Sequence, residues 1–590
     1  MCNGEAEGGV EEWEVSDAYT ASDHNVILFT FNPLYSVPET KFRNIRKTNW
    51  EMFEQYVYAN KPSFNSEIDI ESKVEQLTKV LTDAFGYSTR ESTKGGRGRK
   101  RGGNFWNESL QKARRELGKL KRKCKKENSE EWWGKYKTMK NLLVKDIKFT
   151  KRETWRKFCQ EVSGIKGASD IGKFLKSKQI PGNCTLEKPG GGFTKNEEET
   201  LQLLLKTHFP DCSGVSAPGQ ISQGDSRPNN PAGSGQEIEE VINFFTFKKV
   251  KAAFGEFKDF KSPGNDGIFP IMIKKSFDIL GKDIIDIFKG CIKQCYVPIK
   301  WRTSKVVFIP KVGKTDYSNP KNFRPISLMS FLLKGLERML LWFLEENTLS
   351  TGILHKNLFA YRAGRSTETA LHCITQKIEK GLLLKGGHVI TVFLDIDAAF
   401  SKASIKSMVE ALSETNCNSV VSTWVEFMLR HRIVQSSWGN STAGLTVTKG
   451  TPQGGILSPV LWNLVMNNLL VEFDRYGTCE IFCYADDLAV VVCGVDLSTV
   501  SDLAQLALNR LVTWSEKNEL TFSTSKTVAM HLTRTRKKPS RDLKLSNKPI
   551  LWVENFKYLG VIFDKRLSWN AHVESVKKRA MALLFTLRNC

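Results

Sequence analysis

The sequence predicts an α+β fold, and three stretches carry that expectation. Residues 388–397, HVITVFLDID, form an apolar, β-branched run that ends in Asp395 and Asp397 and leads into a helix-like segment at 398–412. Residues 479–493, CEIFCYADDLAVVVC, place two short apolar runs around Ala485-Asp486-Asp487, the pattern of strand, tight turn and strand. Residues 110–143 instead repeat Leu110, Leu117, Leu120, Trp132, Trp133, Tyr136, Met139, Leu142 and Leu143 near helical spacing.

The chain has 590 residues, which at about 100–200 per domain allows roughly three to five units. Hydrophobic residues make up 40% and charged residues 26%, enough for sizeable cores and too apolar for wholesale disorder. The net charge of +23 points to a polyanionic partner. That charge is concentrated, because residues 94–157 hold 23 Lys and Arg against 7 Asp and Glu. A Gly/Arg/Lys tract opens the segment at 94–103, and aromatic rings interleave with the cations after it. Such a stripe suits nucleic acid, with phosphates on the charges and bases or sugars against the rings. The same pattern also describes a solvated helical hairpin whose Trp and Leu side chains are its core. Residues 210–236 are rich in Gly, Pro and Ser, after which apolar runs are regular to the C-terminus. The expected division is a short N-terminal piece (1–35), a connecting region (36–93), a basic helical region (94–165), a linker (166–237), a large globular region (238–565) and a C-terminal helical segment (566–590).

No uninterrupted apolar stretch approaches the roughly 18 residues of a membrane span. The most apolar helix-like run, 328–344, is broken by Lys334, Glu337 and Arg338. The acidic opening, residues 1–14, argues against a secretory signal. Thirteen scattered cysteines include the pairs Cys291/Cys295 and Cys479/Cys483, and neither pair has the two-residue gap of a zinc ribbon. Reduced thiols in a cytosolic or nuclear setting are expected.

The acids carry the chemistry. Adjacent carboxylates repel and are costly in an apolar hairpin unless cations neutralise them, although an acid pair at a turn is also ordinary solvated surface. If the two carboxylate-tipped strands share a sheet, three carboxylates would meet and hold two divalent ions about 4 Å apart, as in-line phosphoryl transfer uses them. Magnesium suits all-oxygen ligation with retained waters and substrate phosphates.

With their companions these residues resemble the reverse transcriptases of non-LTR retrotransposons, particularly the jockey-like insect elements, over most of the chain from about residue 238. KSPGNDGI (261–268) is similar to the block before the fingers, IPK (309–311) and NFRPISL (322–328) to the fingers, and AYRAGRST (360–367) to the block before the first palm strand. FLDIDAAF (393–400) and YADD (484–487) resemble the two catalytic blocks, and GTPQGGILSPVLWNLVMN (450–467) the loop and helix beneath the nascent pair. LTFSTSKT (520–527) and FKYLGVIFD (556–564) resemble the closing palm and primer-grip blocks. This many blocks in one order is specific, whereas a lone Asp-Asp pair is weak.

The resemblance implies a right-hand polymerase with an antiparallel palm sheet, fingers before it and a partial thumb after it. It implies that Asp395 and Asp486 bridge two Mg2+ ions, with Mn2+ as a substitute, and that Asp487 is the third acid. Lys311 and Arg324 would clamp the triphosphate, and Lys526 would protonate the departing pyrophosphate. The amides of Ala398 and Ala399 would face the triphosphate, since a helix start attracts anions. Gln453 and Gly454 match the loop at the template–nucleotide pair, and Arg362, Arg365 and Tyr484 fall to template and primer. Phe400, five residues after Asp395, stands where such enzymes place a ring under the sugar C2′ to exclude a 2′-hydroxyl. Asp397 is expected to cap the following helix rather than to bind metal. Surface charge for these cations, and core packing for Phe400, are the plainer alternatives. Ser401 and Lys402 depart from the family, where Asp is frequent.

Residues 13–31 resemble the last turn and strand of an endonuclease of the exonuclease–endonuclease–phosphatase family, with Asp23 orienting His24 on the scissile phosphate. So short a piece cannot form that domain, so no nicking is expected, and both chain ends look truncated, the C-terminal one inside thumb helices from 573. The function expected is an RNA-directed DNA polymerase that copies its element's RNA from a nicked chromosomal 3′-hydroxyl, using deoxynucleotides, without a membrane, in the nucleus. Alternatives are a group II intron or telomerase-type reverse transcriptase, and a non-catalytic RNA-binding relic.

Overall fold

The computed structural model describes residues 10–16, 26–31, 41–65, 67–93, 105–161, 185–210, 212–215, 233–311, 313, 314, 316–349, 352–535, 537, 539 and 541–589. The chain divides into two compact units, one of residues 1–43, 91–179 and 577–590 and one of residues 44–90 and 180–576.

The larger unit is α+β and holds both predicted carboxylate strands in one sheet. Its strand order is Glu480–Tyr484, Asp487–Gly494, His388–Asp395, Val528–Thr533 and Leu551–Trp552. The first four strands are antiparallel to their neighbours, and the last pairs parallel. His388–Asp395 is central, and every residue from His388 to Leu394 is buried. It reads as a continuous apolar run because both faces are covered. Ile390, Val392 and Leu394 join the core with Trp462, Leu508 and Leu511 of helices Ser458–Tyr476 and Leu497–Lys517. Val389 and Phe393 face Ile374 and Ile378 of helix Thr367–Leu383. Phe393 also meets Phe556 and Tyr558 of the hairpin Asn555–Tyr558/Val561–Asp564, at ring-centroid distances of 5.0 and 4.9 Å.

A second five-stranded sheet runs Ser213–Val215, Ser441–Val447, Arg432–Trp438, Thr303–Pro310 and Phe323–Leu328. Here the sequence boundaries shift. Inside the expected linker, helix Glu197–His208 packs Leu201, Leu204 and Leu205 against Val306, Phe308 and Val434 of this sheet. Residues 44–90, expected as connecting chain, belong to the core. Asn49 and Asp69 cap amphipathic helices Trp50–Ala59 and Ile70–Ser88. Phe53, Val57, Val74, Leu77 and Leu81 are buried in the same core as helix Pro270–Lys293. Glu71 accepts hydrogen bonds from the Tyr296 hydroxyl and the Ile299 amide, fastening these helices 225 residues along the chain.

The smaller unit contains the basic segment as two helices, Glu108–Glu127 and Glu130–Glu161, reversing at Asn128, whose φ of 39° is left-handed. Trp132 sits under Lys123 and Lys135, 3.7 and 4.4 Å from its ring centroid, an arrangement that keeps two ammoniums at the surface on an aromatic base. Leu110, Cys124 and Leu143 are buried, while Leu142 is exposed. Strands Val10–Ser16 and Val26–Phe31 pair antiparallel, and Asp23 and His24 lie outside the described residues. The described C-terminal helix is Asn570–Asn589. Among the described residues no helix is long and apolar enough to cross a membrane.

Candidate active site

Strand register brings the acids together. Asp395 and Asp487 are directly opposite across the two central strands, so their side chains leave the same face of the sheet. Tyr484 pairs with Asp487, which leaves Ala485 and Asp486 as a two-residue turn. Ala485 takes a φ of 57°, a left-handed conformation that costs a non-glycine residue about 1–2 kcal/mol. The turn is held from three sides. The buried Trp462 indole donates to the Ala485 carbonyl at 3.0 Å, the Cys483 thiol points at the same oxygen at 3.4 Å, and the Ile396 amide donates to the Asp486 carbonyl at 3.2 Å.

Crowding of like charge shows in the acidities. Burial, then Asp486 and Asp395, push the Asp487 carboxyl up to about 7. Burial, with Asp395 beside it, also raises Asp486. Lys526, in the turn after Phe522, donates to Asp395 Oδ2. Burial opposes charge on Lys526, but that hydrogen bond and the Asp395, Asp397 and Asp486 charges raise it. Among the described residues no three His, Cys, Asp or Glu side chains converge at metal-ligand spacing; here Lys526 supplies the cation at Asp395.

The expected phosphate-binding cations gather at the same place. Arg324 is on the exposed side of strand Phe323–Leu328, opposite Ile309, and Lys311 follows the paired strand. Burial, then Lys526, Arg324 and Lys314, push the Lys311 ammonium down, and its Nζ donates to the Lys321 carbonyl at 2.8 Å. Lys314 is a fourth cation that sequence reading missed, since nothing in GKTD sets it apart from a surface loop.

The residues expected on the nucleotide side follow the acids. Phe400 lies on the short helix Ala399–Lys402, between Tyr361, edge-on at 6.2 Å, and Trp462 at 6.0 Å. Tyr361 is 53% exposed at a φ of 57°, and its phenol is raised by burial and by Asp486. Gln453 and Gly454 sit in the loop before helix Ser458–Tyr476, where the Gln453 carbonyl accepts the Ser327 amide at 3.0 Å. Two expectations change. The helix expected over 398–412 breaks into Ala399–Lys402 and Ile405–Ser413. Asp397 does not cap it: Ala398, left-handed at a φ of 54°, is the N-cap and has no side-chain bond, while Asp397 faces Lys526. Arg362 uses Nη1 on the carbonyls of His355 and Leu358, at 2.7 and 2.9 Å, locking its own loop. Arg365 lies over the Phe359 ring, and Tyr484 is half-buried against the hairpin side of the sheet. A cavity of about 150 Å³ opens between the acids and that hairpin, lined by Asp395, Asp487, Lys526, Phe556, Lys557 and Tyr558 among others. The Tyr558 hydroxyl donates to the Asp487 carbonyl at 3.3 Å.

The chain is similar to known proteins. Residues 309–563 match the family described as reverse transcriptase (RNA-dependent DNA polymerase). Over 98% of its length the chain is 24% identical to the putative 115 kDa protein in type-1 retrotransposable element R1DM of Drosophila melanogaster, of which it covers 55%. It is 23% identical, again over 98% of its length, to the Pol polyprotein from type-1 retrotransposable element R1 of Bradysia coprophila, covering 57%. It is 24% identical over 69% of its length to the RNA-directed DNA polymerase from mobile element jockey of Drosophila melanogaster, covering 44%. The chain thus spans about half the length of the curated relatives it matches.

Proposed function

We propose that the chain, which matches the reverse transcriptase family over residues 309–563 and is similar to the R1 and jockey retrotransposon proteins, extends a DNA 3′-hydroxyl along an RNA template, using deoxynucleotides and two divalent metal ions. The observation that carries this reading is the cross-strand pairing of Asp395 with Asp487, with Asp486 at the turn and Lys311, Arg324 and Lys526 beside them. The donor set fits magnesium: it is all oxygen, half-buried and held against its own repulsion, which a divalent cation would relieve. Lys526, whose side chain is 61% exposed, can swing away from Asp395 as a metal enters. Asp395, Asp486 and Asp487 would hold the ions, which when bound acidify the attacking hydroxyl and steady the leaving pyrophosphate.

The chain's own groups do the rest. Lys311, Arg324 and Lys314 present a cationic wall to the triphosphate, Lys526 holds a proton within reach of the leaving group, and Phe400 excludes a 2′-hydroxyl. Residues 238–565 serve as fingers and palm, residues from 566 begin a thumb, and the basic helical pair binds template or primer. The place of work is the nucleus, where a nicked chromosomal 3′-end is the primer.

The test is primer extension on an RNA template with magnesium. Asp486→Asn removes one ligand charge and should cut extension at least roughly 10²–10³-fold, the scale of one preorganised electrostatic group. Since it also relieves repulsion on Asp487, the variant should unfold no earlier than the parent. Near-parental extension at saturating magnesium would remove Asp486 from the site.

A further inference from the structure

The loop 449–457, which carries Gln453 and Gly454, has little regular structure of its own, yet it touches the nucleotide pocket on two sides. On one side the Thr451 amide donates to the Phe400 carbonyl at 2.6 Å and the Gly450 amide to Ala403 at 2.8 Å. On the other, Gln453 accepts from Ser327, on the strand that carries Arg324. Both approaches need glycine. A Cβ on Gly450 (φ 71°) would lie 2.4 Å from the Phe400 carbonyl oxygen, and one on Gly454 (φ 134°) would lie 2.6 Å from that of Ser327. The sugar-facing ring and the triphosphate-facing strand are therefore spaced by this loop.

Two buried ionisable side chains from outside the loop hold its ends. Arg432 opens strand Arg432–Trp438 and donates Nη2 to the carbonyls of Lys449 and Gly450 at 2.6 and 2.7 Å, and Nε to Leu429 at 3.0 Å. Glu337, in helix Phe331–Asn347, is fully buried and accepts the Ile456 amide on Oε2 at 3.0 Å. Its Oε1 has no hydrogen-bond partner among the described residues. Burying a carboxylate and a guanidinium that do not pair with each other is costly, and apolar residues would fill the same space more cheaply. What both side chains have in common is the loop. An acceptor at one end and a forked donor at the other satisfy its backbone groups and fix its span.

We propose that Glu337 and Arg432 are positioning residues that set the nucleotide pocket by clamping the two ends of loop 449–457. The role in nucleotide binding rests on the polymerase reading above; the clamp itself does not. Hydrogen exchange of the peptides covering 450–457 is measured together with KM and kcat for a deoxynucleotide in single-nucleotide extension. Glu337→Gln keeps the acceptor and should match the parent in both. Glu337→Leu removes it. Exchange at 450–457 should quicken and KM should rise roughly tenfold, the lesser part of what a small displacement of reacting groups costs, while kcat and primer–template affinity stay close to parental. Arg432→Lys, which loses the fork, should fall between. Parental exchange at 450–457 in Glu337→Leu overturns the clamp. Faster exchange with an unchanged KM in an active enzyme overturns its role in the pocket. A parent that never extends a primer overturns the polymerase reading instead, and exchange still decides the clamp. Should Glu337→Leu fail to fold, Arg432→Lys gives the same readouts and decides in its place.

Discussion

Phe400 is wedged between two rings, which hold its orientation and, on the proposed reading, would keep it from turning aside from a ribose. Tyr361 abuts one side edge-on, and Trp462, fully buried, backs the other. Overlap between a fixed ring and a 2′-hydroxyl costs a few kcal/mol, and about 1.4 kcal/mol is tenfold in selectivity. Phe400→Val should therefore raise the ratio of kcat/KM for CTP over dCTP at least tenfold by that conversion, with deoxynucleotide use only modestly reduced. An unmoved ratio in an active variant would make Phe400 ordinary core. A second residue makes a pH prediction. Burial pushes the Glu337 carboxyl up to about 7, against the Ile456 amide and the Lys334 and Arg338 charges that favour its ionised form. Its folded pKa lies above the unfolded value of 4.5, so the folded protein holds a proton that the unfolded chain releases. The stability this contributes is complete below about pH 4.5 and is lost as pH rises to about 7, on the order of 3 kcal/mol. Glu337→Gln should remove that component, and urea midpoints of parent and variant at pH 5 and pH 8 measure it. A difference between the two proteins that is the same at both pH values would mean that Glu337 keeps an ordinary acidity. Asp395, Asp486 and Asp487 were legible in the sequence because charge at the tip of an apolar strand is conspicuous. Glu337, Tyr361 and Arg432 were not, because their roles come from partners up to 119 residues away.

At the level of elements, the turn at 484–487 shows what a pattern conveys and what it omits. Two apolar runs around ADD predict a hairpin, and the register confirms it with Tyr484 opposite Asp487. That Ala485 is left-handed was not readable, since alanine has no preference for that conformation; the partners at Trp462, Cys483 and Ile396 impose it. The Asp397 cap failed for a related reason, because a turn follows the strand end at Asp395 and left-handed Ala398, one residue after Asp397, takes the cap position. The capped helices at 50–59 and 70–88 did carry local signals, Asn49 and Asp69 before apolar repeats, but their membership of the larger unit's core depends on burial against Pro270–Lys293. Trp462→Phe tests the turn directly. It keeps an aromatic ring but removes the indole donor to Ala485, leaving that carbonyl only the weak Cys483 thiol, which should cost about 1 kcal/mol, the net worth of one hydrogen bond. Extension should fall by more than that loss of stability explains, since the acids ride on the turn. Urea unfolding and primer extension on the same preparation separate the two, and a variant with parental extension would show that the turn holds without the indole.

Across the whole molecule, charge is distributed by task. The net of +23 comes mainly from residues 94–157, while the acids that would hold metal sit in the other unit. A compact nucleotide site needs few phosphate contacts and a long template needs many; a basic helical pair apart from the acids can supply the second without adding further cations to those already around Asp395. The helices Glu108–Glu127 and Glu130–Glu161 keep most of their lysines and arginines exposed. Two of those lysines lie against Trp132, which reduces the side-chain entropy lost when a phosphate docks. If this pair binds nucleic acid, each phosphate it neutralises releases counterions, and the slope of log K against log[salt] steepens by about 0.7–0.9 per contact. Deleting residues 94–157 should therefore weaken binding of an RNA–DNA primer duplex and flatten that slope by several such increments. Incorporation at saturating duplex should survive, because none of the acids, the loop 449–457 or the cations around Lys311 lies in the deleted stretch. The measurement is duplex affinity from about 50 to 300 mM salt for the parent and the deletion, within the range where counterion release governs binding. A parallel pair of lines with equal slopes would mean that the basic helices contact no phosphate and that their charge serves only to keep the hairpin solvated.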